Sequence, residues 1–202
     1  MMKHLLLFAF LLLSVGMHAQ NDNILERILQ VNSSASSFES DLCNTTTKHG
    51  NTTVQNGILY FVKPDKFAAL FTAESYMIAN ANKLKIDIGL FHGKFTMRKN
   101  GILRSLSNIF LYGFQGRCRD LAEENNYSIC LKETGQCCHV TFTNNRRNIL
   151  GIGFKQVIFR FEKESLKLLE IVLIDTTGTI DSYAISNVKY NVEVDPNKFA
   201  TN

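Results

Sequence analysis

The sequence predicts a mainly β fold with some α: a single curved, unclosed antiparallel β half-barrel with helices covering its concave side. The first observation behind this prediction is a series of strand-like segments, rich in β-branched and aromatic residues, that runs from Phe38 almost to the end of the chain. The second is that short turn sequences separate these segments, at 49–51, 80–82, 99–101, 133–135 and 176–178. Strands joined by short turns are neighbours in a sheet, so we expect one large meander.

The third observation is that two segments follow the helical period instead. Before the first strand, the apolar positions are Ile24, Leu25, Ile28, Leu29 and Val31. Between the sixth and seventh strands, within 102–125, they are Leu103, Leu106, Ile109 and Phe110. We expect one short amphipathic helix at the start and one or two helices that lie across the sheet.

The N-terminus has the composition of a cleavable signal peptide. A cationic start at Lys3, an apolar run from Leu5 to Leu13 and a small residue at Ala19 predict export, with residues 1–19 removed and 20–202 forming a single domain. Removal of Lys3 leaves 21 basic and 18 acidic side chains, a net charge of +3. Because no basic cluster is denser than Arg146-Arg147, the sequence predicts no nucleic-acid partner.

Catalysis and metal binding have little support in the sequence. His49, His92 and His139 are the histidines left after the signal peptide, and no nucleophile motif, zinc-protease motif or phosphate loop accompanies them. The Cys137-Cys138-His139 triplet would place neighbouring side chains on opposite faces of a strand. The sequence therefore predicts no enzyme, no metal and no cofactor.

Five cysteines, Cys43, Cys118, Cys130, Cys137 and Cys138, are an odd number for an exported chain. Cys130 could face Cys137 or Cys138 across the turn at 133–135, whereas Cys43 and Cys118 are distant in sequence. We expect at most one or two disulfide bonds, and their pairing stays open.

The strand "GILYFVK" is apolar on both faces, which is unusual for a sheet that is wet on one side. Leu59 and Phe61 point one way, whereas Ile58, Tyr60 and Val62 point the other way. Later strands alternate more clearly: Val157, Phe159 and Phe161 share a face, as do Leu169, Ile171 and Leu173. The apolar face predicts either a packed core or a cavity for an apolar ligand, and periodicity alone does not separate the two.

Sequence motifs occur toward both ends of the chain. Phe38 opens the first strand, and a Gly-apolar-aromatic strand from Gly57 ends in Lys63-Pro64-Asp65 and Phe67. A C-terminal motif comprises Asp175, Gly178, Asn187, Val188, Asn191, Asp195 and Phe199. In their order and spacing these motifs resemble the periplasmic lipoprotein carrier family, the LolA-like proteins. Ala68-Ala69 depart from the pattern, where the family often has an arginine or an aromatic residue.

The resemblance implies a monomeric carrier that holds the acyl chains of lipoproteins in a hydrophobic cavity. It implies no cofactor and no covalent chemistry. Its implied partners are acylated lipoprotein or other acyl lipid cargo, an inner-membrane transporter and an outer-membrane acceptor, all reached from the periplasm. Lys63 and Pro64 would lie at the rim. By face assignment, the cavity lining would be Phe38, Leu59, Phe61, Phe67, Phe71, Met77, Val157, Phe159, Phe161, Leu169, Ile171 and Leu173.

Two alternatives stay open at this stage. A LolA-like chain with a diverged rim could carry another acylated molecule, such as a polyene-type lipid. A similar fold also serves periplasmic sensors, so a lipid-sensing regulatory binding domain is the alternative from a different class.

Overall fold

The computed structural model describes residues 23–88, 91–98, 101–145 and 153–201. The predicted signal peptide, residues 1–19, and the boundary after it lie outside the described residues. Within the described part of the chain, no helix combines the length and the apolar character needed to cross a membrane.

The fold prediction is confirmed: one antiparallel sheet of 11 strands, open at both edges, contains most of the described chain. The strands are β1 (Ser37–Lys48), β2 (Asn51–Val62), β3 (Lys66–Phe71), β4 (Tyr76–Asn80), β5 (Lys83–Ile88), β6 (Phe91–Thr96), β7 (Tyr127–Thr134), β8 (Cys137–Asn144), β9 (Phe154–Glu162), β10 (Leu168–Asp175) and β11 (Ile180–Tyr190). Their spatial order is β6-β5-β4-β3-β2-β1-β11-β10-β9-β8-β7.

Two meanders, β1–β6 and β7–β11, therefore join along the pair β1 and β11 in the middle of the sheet. The chain leaves the first meander at one edge strand, β6, and enters the second at the opposite edge strand, β7. The connection between them must cross the sheet, and this is why it lies over one face.

Three α-helices accompany the sheet in the part of the chain that the structure describes. Helix α1 covers residues 23–33, and the crossing connection forms α2 (Ile102–Gln115) and α3 (Cys118–Asn125). Gly116 ends α2 in the left-handed region at φ 67°, and a methyl group there would lie 2.5 Å from the carbonyl oxygen of Ile28 in α1. The glycine is thus required both by its backbone conformation and by the close approach of α1.

The sheet curves around α2. Within one turn of this helix, Phe110 contacts Phe67 of β3, and a methyl group on Gly113 would lie 3.2 Å from the ring of Phe159 in β9. Five strand spacings separate β3 from β9, which is roughly 24 Å in a flat sheet. One helical turn reaches both strands because the sheet wraps around it as a half-barrel.

The convex side carries a second, smaller cluster. After β11 the chain returns along the outside of the sheet, and a 3-10 helix, Pro196–Phe199, places Phe199 against Ala68 and Ile78. Tyr60 and Val62 of β2 pack against this cluster from below. The outward apolar residues at the end of β2 are thus covered by the C-terminal segment, while Ile58 stays 42 % exposed.

Candidate functional site

Five phenylalanine rings fill the concave side beneath α2. Phe38, Phe61 and Phe67 point inward from β1, β2 and β3, and Phe110 and Phe114 point down from α2. We call these five residues the aromatic cluster. The ring centroid of Phe114 lies 5.5 Å from that of Phe38, 5.6 Å from that of Phe61 and 5.8 Å from that of Phe67. These are favourable separations for tilted and edge-to-face pairs, so α2 rests on a nearly continuous aromatic surface.

The other half of the concave side is aliphatic and aromatic as well. Phe159 of β9 stacks edge-on against Phe142 of β8 at 4.9 Å between centroids, and Ile171 of β10 lies beside it. A methyl group on Gly113 would come within 2.8 Å of the Ile171 Cδ1 atom. Because position 113 has no side chain, α2 approaches this half of the sheet closely.

The structure brings most of the predicted lining residues together. Eleven of them belong to the buried core under the helices: Phe38, Leu59, Phe61, Phe67, Phe71, Met77, Val157, Phe159, Phe161, Ile171 and Leu173. Their inward orientation is therefore observed, whereas their contact with a ligand stays a prediction. The interior is closed around its own side chains, which corresponds to the packed alternative that the sequence left open.

The inward assignment of Leu169 is wrong. Leu168 pairs with Phe161 and Glu170 pairs with Arg160, so that Leu169 is the extra residue of a β-bulge. The bulge brings Leu168 into the core in its place. The prediction took every second residue of the strand as inward and counted back from Ile171 to Leu169. This count fails where a bulge adds a residue.

Sequence reasoning missed several residues of this interior. The predicted apolar face of the helix ended at Phe110, so it did not include Gly113 or Phe114. Phe114 follows Phe110 at the i, i+4 spacing of one helix face, and this spacing could have identified it. Tyr183 of β11 was also missed, and its ring lies 5.0 Å from that of Phe110. The alternation of β11 would have identified it.

The glycine of the strand motif has a clear structural reason. A methyl group on Gly57 would lie 2.3 Å from the carbonyl oxygen of Leu70 in β3, so no other residue fits at this point of the sheet. Gly57 faces the concave side between Leu42 and Phe71. It permits β2 and β3 to pair closely below the aromatic cluster.

The predicted rim residues, Lys63 and Pro64, lie where β2, α1 and α2 meet. The Lys63 ammonium donates a hydrogen bond to the carbonyl oxygen of Ser33 at the end of α1. The Gln115 side chain at the end of α2 donates to the carbonyl oxygen of Pro64 at 3.1 Å. We call Lys63, Pro64, Ser33 and Gln115 the rim junction. It connects the turn after β2 to both covering helices.

A second set of bonds fixes α1 from the other side. The Asn32 side chain donates to the carbonyl oxygen of Leu166 at 2.8 Å and accepts from the amide of Leu168 at 3.1 Å. Asn191 accepts a hydrogen bond from the amide of Ser36 at 2.9 Å. The motif residue Asn191 thus supports the backbone before β1, whereas the motif residue Asn187 donates to the Asp41 carboxylate at 2.7 Å.

Burial keeps the titratable groups of the interior uncharged. Burial raises the pKa of Tyr183 far above its ordinary value, and the nearby Asp181 carboxylate adds to the shift. Burial, followed by a hydrogen bond to Glu124, raises the pKa of Tyr112 to about 12. A neutral, aromatic interior of this kind favours apolar groups and disfavours charged ones.

A small cleft lies beside α1, away from the aromatic cluster. It has a volume of about 320 Å³, and its lining is Asn23, Ile24, Arg27, Glu133, Cys138, Lys163 and Leu166. The Lys163 ammonium pairs with the Glu133 carboxylate at 2.8 Å on its rim. Within the described chain, no group of three or more His, Cys, Asp and Glu side chains is arranged to hold a metal ion.

The chain belongs to the family of outer membrane lipoprotein carrier proteins, LolA, whose family model matches residues 33–202. Membership places it in a superfamily of lipid- and lipoprotein-binding carriers, which are binding proteins rather than enzymes and typically periplasmic. No curated protein matches the sequence.

Among solved structures, a LolA superfamily protein from Nitrosomonas europaea is similar over 89 % of this chain and 96 % of its own, at 8 % identity and a TM-score of 0.45. A putative outer membrane lipoprotein-sorting protein domain from Vibrio parahaemolyticus matches 87 % of this chain and 94 % of its own, at 9 % identity and a TM-score of 0.45. The Pseudomonas aeruginosa MucA/MucB complex matches 89 % of this chain and 60 % of the matched chain, at 10 % identity and a TM-score of 0.45.

Proposed function

We propose that this protein is a periplasmic carrier that binds the acyl chains of lipoproteins between α2 and the concave face of the sheet. The observation that carries the proposal is the aromatic cluster, in which one helix covers a curved apolar surface and fills it with Phe110 and Phe114. The family membership supports the same kind of cargo.

In the described conformation, the protein's own side chains fill the space between α2 and the sheet. An acyl chain would enter by taking the place of the α2 side chains, so that the sheet exchanges one apolar partner for another. Each CH₂ group moved from water contributes about 0.8 kcal/mol. A set of acyl chains can therefore offset the lost contacts of α2, which would in turn lie over the cargo.

The rim junction is the natural control point for this exchange. Lys63 holds the end of α1, and Gln115 holds the end of α2, so both covering helices are tied to one turn of the sheet. These are a few polar bonds, each with a net contribution of only about 1 kcal/mol. These hydrogen bonds would hold α1 and α2 against the sheet in water. They are weak enough to break when apolar cargo binds to the sheet.

This function needs no cofactor and no covalent step. The carrier would receive its cargo from an inner-membrane transporter, cross the periplasm as a monomer and deliver the cargo to an outer-membrane acceptor. Binding energy must therefore be moderate, because the cargo has to leave the carrier again.

Opposite faces of β2 supply a matched test. Phe61 points into the aromatic cluster, whereas Ile58 points outward and is partly exposed. Displacement of an apolar dye by a triacylated peptide would be measured for Phe61→Glu and Ile58→Glu. We expect Phe61→Glu to weaken peptide binding at least tenfold and Ile58→Glu to leave it unchanged.

A milder pair, Phe61→Ala and Ile58→Ala, keeps the test valid if a buried glutamate prevents folding. Equal peptide binding by folded Phe61 and Ile58 variants would contradict the cavity assignment. Preference for a non-protein acylated lipid, such as a polyene-type lipid, would keep the site and change its cargo. A stable complex with the periplasmic segment of a membrane protein, formed without lipid transfer, would replace the carrier with a sensor.

A further inference from the structure

The five cysteines divide between the two faces of the sheet. Cys43, Cys130 and Cys137 lie on the convex face, because their strand neighbours Leu42, Leu131 and Cys138 point inward to the core. Cys118 and Cys138 are both buried in that core, each with 1 % of its surface exposed. All five are free thiols in the structure.

The convex cysteines are too far apart to pair. Cys130 lies opposite Thr141, and Cys137 lies opposite Thr134, so the two are four residues apart along the hairpin, roughly 13 Å. Cys43 lies four strands from Cys137 in the sheet order, roughly 19 Å. A disulfide bond requires Cα atoms within about 7 Å of each other. The register therefore argues against a bond from Cys130 to Cys137, and against one to Cys138, whose side chain also points to the opposite face, although the sequence left both pairings open.

The two buried cysteines lie on elements that pack against each other, α3 and β8. Cys118 opens α3 on the same buried face as Leu121 and Ala122, and Cα atoms of α3 approach those of β8 within 8 Å. Cys138 points from β8 into the same buried core that contains Cys118. Burial raises the pKa of the Cys118 thiol, and the Coulombic interaction with Cys138 raises it further.

We propose that Cys118 and Cys138 form a disulfide bond when the chain folds under oxidising conditions. The oxidant is a disulfide, either of a thiol-disulfide oxidoreductase or of oxidised glutathione. One cysteine thiolate attacks this disulfide and releases one thiolate of the oxidant, which leaves a mixed disulfide. The second cysteine thiolate then attacks the Sγ atom of the first cysteine in the mixed disulfide, which forms the Cys118–Cys138 bond and releases the oxidant's second thiolate. Two protons pass to the solvent, and the oxidant gains two electrons.

The bond is expected to form during folding rather than after it. Burial, the largest cause, raises the pKa of the Cys138 thiol to about 11, so few thiolates exist in the folded protein at neutral pH. Once formed, the bond stays within reach of a small reductant, because Cys138 lines the cleft beside α1.

The bond would fasten α3 to the second meander. The corner between α2 and α3, at Gly116, already rests on the backbone of α1. On the function proposed above, α2 would then open from its N-terminal end at Ile102, with its C-terminal end held in place. The existence of the bond itself does not depend on lipid binding.

The test uses the full-length mature chain, refolded in oxidised and reduced glutathione, then denatured and alkylated with iodoacetamide. Without prior reduction we expect three alkylated cysteines, since two of the five are bonded, and after reduction we expect five. Peptide mapping should place the alkyl groups on Cys43, Cys130 and Cys137. Five alkylated cysteines without reduction, or a bond that joins another pair, would overturn the proposal.

Thermal unfolding adds a second readout. Reduction should lower the Tm of the oxidised protein by roughly 6–12 °C, as expected for a closed loop of this length. The matched variant Cys43→Ala should keep this shift, and Cys118→Ala should lose it. A Tm that does not respond to reduction in the wild-type protein would also contradict the bond. Lipid binding that fails in a protein with the bond present would count against the proposed function and leave this inference standing.

Discussion

The two faces of β2 are both apolar, but they are covered in different ways. On the concave face, Phe61 lies under α2, a helix whose N-cap, Gly101, makes no side-chain capping bond. On the convex face, Tyr60 lies under the C-terminal 3-10 helix, which Asp195 caps by accepting from the amide of Asn197 at 2.9 Å.

The two covers differ in how their ends are stabilised. Helix α2 has no acidic residue in its first turn and no basic residue in its last turn, so no side chain within these turns offsets the helix dipole. Side-chain hydrogen bonds hold both covers, because Gln115 of α2 donates to the carbonyl oxygen of Pro64 and Asn80 donates to the carbonyl oxygen of Phe199 at 3.2 Å. On the function proposed above, the same apolar signal in the sequence serves a site on one side, where α2 moves, and a permanent cover on the other.

The largest expected effect comes from removing one phenylalanine from each cover. Phe114 and Phe199 are both 4 % exposed, so Phe114→Ala and Phe199→Ala are matched in residue type and burial. Phe114→Ala should lower the free energy of unfolding by about 3–5 kcal/mol, and Phe199→Ala by about 3 kcal/mol. Urea denaturation measures both values.

Binding of an apolar dye should differ between the two variants, although their losses of stability are similar. Phe114→Ala removes part of the side-chain volume that competes with cargo, so it should raise apolar dye binding severalfold. Phe199→Ala should leave dye binding unchanged, because it lies on the other side of the sheet. If both variants bound the dye equally, the claim that α2 covers a binding site and the C-terminal segment does not would be contradicted.

The next effect concerns the close approach of α2. Alanine at a helical glycine ordinarily stabilises a protein by about 1 kcal/mol. Gly113→Leu should instead destabilise this one by about 1–3 kcal/mol, because the added atoms meet Ile171 and Phe159. We expect the helix to be displaced and dye binding to increase, and a more stable protein with unchanged dye binding would contradict the packing described here.

A smaller effect is expected at the rim junction. Lys63→Met keeps the aliphatic stem but removes the bond to Ser33, which should lower the free energy of unfolding by about 1 kcal/mol and raise amide hydrogen exchange at the end of α1. Lys66→Met removes a charge three residues away and serves as the control. If both variants exchange equally, the Lys63 bond does not hold the helix.

The smallest effect is a dependence of stability on pH. Burial raises the pKa of Asp181, which lies on the concave face of β11, above its ordinary value of 3.8, and the hydrogen bond from Thr46 only partly opposes this shift. Above pH 3.8 the folded protein therefore holds a proton that the unfolded chain has released, so this group makes stability fall as pH rises through the raised pKa. Asp181→Asn should flatten that fall in urea denaturation between acidic and neutral pH, and an unchanged slope would count against the buried carboxyl.

The sequence predicted the strands, their turns and the crossing helices well, because each follows from local periodicity. It also predicted the inward face of Phe61 and Phe159, since alternation holds within an unbroken strand. It failed at Leu169, because a bulge shifts the register and depends on the neighbouring strand rather than on local sequence.

The closed state of the interior was not predictable either. Whether Phe114 fills the concave side or leaves it open depends on how far α2 approaches the sheet. That distance is set by Gly113 against Ile171, two residues that are far apart in sequence. The proposed pairing of Cys118 with Cys138 depends in the same way on the crossing connection, which brings α3 onto β8.

Native mass spectrometry of the mature protein, purified from its own envelope without detergent, tests the central claim most directly. The account predicts a mass increment that matches an acylated lipoprotein, and the increment should disappear in a folded Phe61→Glu variant but persist in Ile58→Glu. A mass without any increment, together with no competition between an apolar dye and a triacylated peptide, would contradict the claim that this interior carries acyl chains.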